Sequence, residues 1–149
     1  MGICNGFQIL TESGLLPGAL LHNDSHKFIC KNTYLRPSSS LSPITADLSE
    51  KSIYKIPIAH GEGRFYADDS TLQMLNDNDQ IMFKYVDEFG LASSESNPNG
   101  SLQNIAGISN KKGNAMGMMP HPERAADKNL LNTDGLALFN SILNSMVRI

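Results

Sequence analysis

The sequence predicts an α/β fold on three observations: helix-like apolar spacing at both ends, strand-like runs between them, and turn chemistry separating those runs. Its 149 residues amount to one domain, long enough to bury about 68–70% of the unfolded surface. Met1 to Gly6 reads as the end of a strand turning sharply into a helix that carries Phe7 and Leu10. Pro17-Gly18 forbids its continuation. Lys27 to Leu35, with Phe28, Cys30 and Tyr34, is strand-like, and Cys30 reads there as a small buried hydrophobe. Pro37 to Pro43, rich in serine, is expected to be a surface excursion within the domain. Ile53 to His60 alternates as a further strand, with Pro57 marking an edge or its end, and Gly61-Glu62-Gly63 follows as a loop. A short helix covers Ser70 to Leu75, with Asp69 or Ser70 as its cap.

Ile81 to Val86 is a strand, and Asn97-Pro98-Asn99-Gly100 is a turn. Ile105 to Ser109 and Ala115 to Met119 form a hairpin around Asn110 to Asn114, with Met116, Met118 and Met119 packing inside. The last helix starts near Thr133, and Leu136, Phe139, Leu143 and Met146 make its apolar stripe.

Composition excludes several classes. Twelve Lys+Arg against 15 Asp+Glu give a net charge of −3, which is no footprint for a nucleic-acid backbone. No apolar run approaches the ~20 residues that span a bilayer, and the first residues read as structure rather than as a signal peptide. Two cysteines are too few for a disulfide framework, so a reducing, cytoplasmic location is expected. Asn23-Asp24-Ser25 and Asn99-Gly100-Ser101 match the glycosylation pattern, which carries no meaning without secretion. His22 and His26 stand around the first of these with no adjacent glutamate, and no metal set is read from them.

Two short motifs carry chemistry. Gly2-Ile3-Cys4-Asn5-Gly6 has the glycine–x–nucleophile–x–glycine form of a nucleophile elbow, with cysteine as the nucleophile. The glycines are expected to let strand and helix approach closely, and the helix N-terminus to favour the Cys4 thiolate. The Asn5 backbone N–H is the expected oxyanion donor. The bland alternative is a structural cysteine beside a glycine-rich turn. Pro120-His121-Pro122-Glu123-Arg124 then supplies a histidine held between prolines, with a carboxylate two positions on to orient its ring, as a general base requires. His60-Gly61-Glu62-Gly63 reads equally as a ligand- or partner-facing corner and as a plain turn.

Gly2 to Gln8 and Pro120 to Arg124 resemble the two signatures of the class I, triad-type glutamine amidotransferases. With Pro57 to Gly63 and Gly117 to Arg124, they resemble the branch of that class serving phosphoribosylformylglycinamidine synthases in purine synthesis. The resemblance implies a flavodoxin-like α/β fold, with a mostly parallel sheet and flanking helices. It implies Cys4 as the nucleophile, His121 as the base and Glu123 as its orienting group, with Asn5 and Gln8 binding substrate glutamine. It implies no metal or cofactor in this chain. ATP and Mg are expected on a large synthetase subunit, the partner together with a small accessory subunit where one is present. That synthetase would use the released ammonia to convert formylglycinamide ribonucleotide to the amidine. In the family a longer segment with strands, helices and a glycine-rich oxyanion loop precedes the elbow, whereas three residues precede Cys4 here. Residues 1–149 are therefore expected to be the C-terminal portion of a single amidotransferase domain, lacking the N-terminal strands. The alternatives are a catalytically impaired fragment, a pure interaction partner, or another class I amidotransferase.

Overall fold

The computed structural model describes residues 1–148. The elements run β1 (Gly2–Ile3), α1 (Asn5–Glu12), β2 (Ala19–His22), β3 (Ile29–Pro37), β4 (Tyr54–His60), β5 (Glu62–Tyr66), α2 (Asp69–Asp77), β6 (Ile81–Val86), β7 (Ile105–Ser109), β8 (Met116–Met118) and α3 (Asp134–Val147). Six strands make one sheet in the order β1-β8-β7-β6-β3-β4, and β2 pairs with β5 in a separate antiparallel ribbon.

The α/β class and the flanking helices are as expected. Parallel pairing is confined to β1 with β8; the other four pairings of the large sheet are antiparallel, so the sheet within these residues is mixed. The reason lies in the connections. β3–β4, β6–β7 and β7–β8 are joined without an α-helix, and strands joined that way return antiparallel. Pro57 sits on β4, an edge strand, as its missing N–H requires.

β1 and β4 are opposite edges of this sheet, about 24 Å apart if it were flat. Yet Cys4 Sγ, one residue past β1, lies 3.8 Å from the Ala59 carbonyl of β4. The sheet therefore curls until its two edges meet, and the site forms where they meet. One core cluster holds Leu35, Ile56, Ile58, Phe83, Tyr85, Met118 and Leu138; another joins Phe7, Leu16, Phe65, Leu75, Ile105 and Met119. Phe7 of α1 stacks on Phe65 of β5 with ring centroids 6.2 Å apart, which ties the elbow helix to the ribbon.

Five local expectations change. Asp68, not Asp69 or Ser70, caps α2 by accepting from the Thr71 N–H at 2.7 Å. Only Gly61 separates β4 from β5, because residues 62 and 63 already pair or extend in the ribbon. Cys30 is exposed although it pairs with Ala59 of β4, because β6 covers β3 only from Tyr34 to Pro37. The serine-rich stretch is tucked inward: Ser39 and Ser42 are buried, as are Ile44 and Thr45 just beyond it, and the Ser141 hydroxyl on α3 donates to the Pro43 carbonyl at 2.7 Å. That contact decides how α3 sits. Its buried positions are Gly135, Leu138 and Ser141, while Leu136, Leu143 and Met146 are exposed. Gly135 sets the approach, since a Cβ there would meet the Pro122 carbonyl oxygen at 2.1 Å.

Candidate active site

Cys4 occupies a sharp turn between β1 and α1 with φ 52 and ψ −107, a left-handed conformation that a non-glycine residue adopts only under constraint. The constraint is visible on both sides. The Cys4 N–H donates to the Met118 carbonyl at 2.9 Å, and its own carbonyl accepts from the N–H groups of Phe7 and Gln8. Of the two motif glycines, only Gly2 is required for close approach. A Cβ on Gly2 would lie 2.4 Å from the Gly6 carbonyl, whereas one on Gly6 would meet nothing within 4 Å.

The thiol is half-buried, and its Sγ faces the Ala59 carbonyl and Asn5 Oδ1, each at 3.8 Å. Burial pushes the thiol up from its ordinary value, outweighing the Asn5 N–H and the Arg124 charge, which act to lower it; Glu123 adds to the rise. The expected depression of the thiol is therefore corrected for the resting protein, because the helix terminus is outweighed by loss of water.

β8 delivers His121 through Met119-Pro120 into a short 3-10 turn, Pro122–Ala125. The His121 N–H donates to the Pro57 carbonyl of β4 at 2.8 Å, which fixes the turn on the sheet edge. Its ring is buried and Nδ1 lies 2.6 Å from Glu123 Oε1. Since a carboxylate only accepts, Nδ1 carries the proton and Nε2 the lone pair. Nε2 is buried and has no hydrogen-bond partner among the described residues, so it stands as a free acceptor in the interior. Glu123 is half exposed and also faces the Arg124 Nε at 3.7 Å.

Gln8, on α1, donates its Nε2 to the Glu62 carbonyl at 2.7 Å, so the elbow helix also grips the start of β5. The Asn5 N–H, next to the sulfur in sequence, acts to lower the thiol. Cys4, Asn5, Gln8, His121 and Glu123 thus surround the junction of β1, β4 and β5, although 117 residues separate Cys4 from His121. Three further groups belong to this corner. His60 is buried on β4 with Nε2 unpartnered, Asn23 is fully buried beside it, and the Tyr85 hydroxyl is buried beneath with no hydrogen-bond partner. Burial, opposed by the nearby Asn99 side chain and reinforced by the Cys4 charge, holds the Tyr85 phenol well above its ordinary range. The sequence signals only His60; Asn23 looks like a glycosylation match and Tyr85 like one more strand aromatic. Asn99 of the other such match is likewise fully buried, donating to the Gly63 carbonyl at 2.8 Å.

Elsewhere, His22 and His26 are exposed, and His22 pairs with Glu62 at 3.3 Å. Among the described residues no group of three or more His, Cys, Asp or Glu side chains gathers as a metal site. Nor, among them, is any helix long and apolar enough to cross a membrane. A cleft of about 510 Å³ lies between β3 and the segment after β6, lined by Thr33, Glu88 and Phe89 among others, and contains none of the candidate catalytic residues.

Known proteins resemble this chain closely. A protein titled phosphoribosylformylglycinamidine synthase subunit PurQ from Synechocystis sp. is 55% identical over 95% of this chain and 63% of its own length. One of the same name from Acaryochloris marina is 53% identical over 99% of this chain and 63% of its own. A solved chain from the structure of PurLQS from Thermotoga maritima superposes with a TM-score of 0.80 at 43% identity, covering 98% of this chain and 61% of that one. The chain spans about 63% of the length of the curated relatives it matches. The family model described as the CobB/CobQ-like glutamine amidotransferase domain matches residues 1–135, and the chain belongs to that family.

Proposed function

We propose that this chain hydrolyses glutamine to glutamate and ammonia, as the glutaminase part of a phosphoribosylformylglycinamidine synthase. The observation that carries the proposal is one strand, β4, holding a cysteine elbow at Ala59 and, at Pro57, a buried histidine whose Nδ1 is fixed by a carboxylate at 2.6 Å. The family description supports glutamine as the amide donor, and the names of the relatives support the synthase.

In this reading His121 Nε2 takes the Cys4 proton, and the thiolate attacks the side-chain amide carbon of glutamine. The resulting oxyanion is met by the Asn5 N–H, and Gln8, its Nε2 engaged by the protein, offers its carbonyl oxygen to the substrate. Collapse breaks the C–N bond, and the imidazolium returns its proton to the nitrogen, which leaves as ammonia. Water then attacks the thioester, giving its proton to His121, and glutamate departs as Cys4 is reprotonated. Glu123 keeps the ring in one tautomer and balances the imidazolium at each stage.

The ammonia passes to a synthetase large subunit, with a small accessory subunit where present. ATP and Mg act there, on formylglycinamide ribonucleotide, and the location is cytoplasmic. The test is Cys4→Ala in the protein assembled with its synthetase. Glutamine-dependent synthesis is expected to vanish while ammonia-dependent synthesis persists. Loss of both activities would overturn the division of labour, and persistence of both would remove Cys4 as nucleophile.

A further inference from the structure

The curled sheet holds a second buried imidazole. His60 closes β4, is 3% exposed, and lies over Gly63, where a Cβ would meet the ring at 2.4 Å. Its Nδ1 is 3.0 Å from Asn23 Oδ1. Asn23 donates its two amide hydrogens to the carbonyls of Lys27 and His60, both at 2.8 Å. With its N–H groups committed, the amide can offer the ring only its oxygen. His60 Nδ1 therefore carries the proton, and Nε2, buried and unpartnered, carries the lone pair. The strand leading to it touches both halves of the catalytic pair: Ala59 through the Cys4 sulfur and Pro57 through the His121 N–H. Two buried imidazoles thus flank one corner. Each is held through Nδ1, His121 by a carboxylate and His60 by an amide.

We propose that Asn23 and His60 form a charge-neutral pair that leaves His121 the sole proton carrier of the site. The inference rests on the glutaminase function proposed above. A carboxylate compensates an imidazolium and an amide does not, so a proton entering this corner settles on the ring facing Glu123. Burial, reinforced by the His121 charge, lowers His60 to about 4. Other ionisable groups border the corner: Asp24 and Lys27 in the Asn23 turn, Glu62 on β5, Cys4 at the elbow, Glu123 and Arg124 after His121, and the Tyr85 phenol, which burial keeps neutral. Glu62 turns outward to His22. Of all these groups only His121 acts on the His60 ring by charge. A second imidazolium here would repel the first and stop His121 from accepting the thiol proton.

The test compares Asn23→Asp, Asn23→Ala, His60→Gln and the double variant Asn23→Asp/His60→Gln in the protein assembled with its synthetase. The readouts are the pH dependence of kcat/KM for glutamine, and histidine ring NMR of the unliganded protein. Asn23→Asp gives His60 an ionic partner. Its acid limb is expected to steepen from one proton to two and to move upward by about one pH unit or more. Adding His60→Gln should restore the one-proton limb, and His60→Gln alone should leave that limb in place. Asn23→Ala, which loses the same amide hydrogens without adding charge, should lower activity evenly across pH. In the NMR spectra, His60 of the unsubstituted protein should stay neutral and Nδ1-protonated down to about pH 5. An even loss across pH in Asn23→Asp, unrelieved by the second substitution, would overturn the proposal. So would a His60 ring that protonates near its ordinary value. If the unsubstituted protein hydrolyses no glutamine, the proposed function falls and this inference with it; normal hydrolysis with unaltered pH profiles removes this inference alone.

Discussion

Gly2→Ala is expected to damage the elbow, and Gly6→Ala is not, although the two glycines are symmetric in the motif. A methyl on Gly2 would sit 2.4 Å from the carbonyl carbon and oxygen of Gly6 and 2.8 Å from Leu10 Cδ1. Ordinary carbon contacts begin near 3.5 Å, so α1 must retreat from β1 by roughly 1 Å. Neither side yields easily, because Cys4 is bonded to Met118 on one side and Phe7 is locked between the sheet and Phe65 on the other. Overpacking of this kind costs about 1–3 kcal/mol. In a domain of this size that is a fall in Tm of about 2–12 °C. A shift of about 1 Å at the reacting atoms costs about 10²-fold in rate. Gly6, by contrast, lies in α1 with open space around its Cβ position, so alanine there should be neutral or stabilising by up to about 1 kcal/mol. Thermal unfolding and glutaminase initial rates of the two variants, measured side by side, decide the matter. Equal behaviour of Gly2→Ala and Gly6→Ala would refute the steric account of the elbow.

Three further outcomes are expected. A small neutral alkylating reagent should modify exposed Cys30 before Cys4, whose thiol is raised by burial; a glutamine-mimicking electrophile should reverse the order, as mass mapping of the labelled peptides would show. Glu123→Gln keeps the shape of the carboxylate and removes its charge, and should lower kcat by about 10²–10⁴-fold with little change in Tm. His60 also makes stability depend on pH: neither state protonates it well above its ordinary value of 6.5, but below that the unfolded chain takes the proton while the fold resists until about 4. Stability should therefore be full above about pH 6.5 and fall by up to about 3 kcal/mol on the way to pH 4, a slope that denaturant titration should find absent from His60→Gln.

Much of the site was legible in the chain because its information is local. A cysteine between glycines at a strand end and a histidine between prolines with a carboxylate two positions on are short-range patterns. Their backbone consequences follow from the residues themselves. The same holds for the hairpin around Asn110 to Asn114 and for Pro57 at an edge. Three things depended on the tertiary structure. Curling of the sheet, which brings β1 to β4, arises from the accumulated geometry of six strands and leaves no mark on any one of them. The orientation of α3 went against its own apolar stripe, because Gly135 and Ser141 fit the Pro122 and Pro43 carbonyls where leucines would not. The charge state of the site was decided by burial as well. A helix terminus by itself would lower the Cys4 thiol, but water excluded by distant parts of the chain raises it. Asn23 becomes a structural clamp for the same reason: folding removes every partner but His60 and the carbonyls around it.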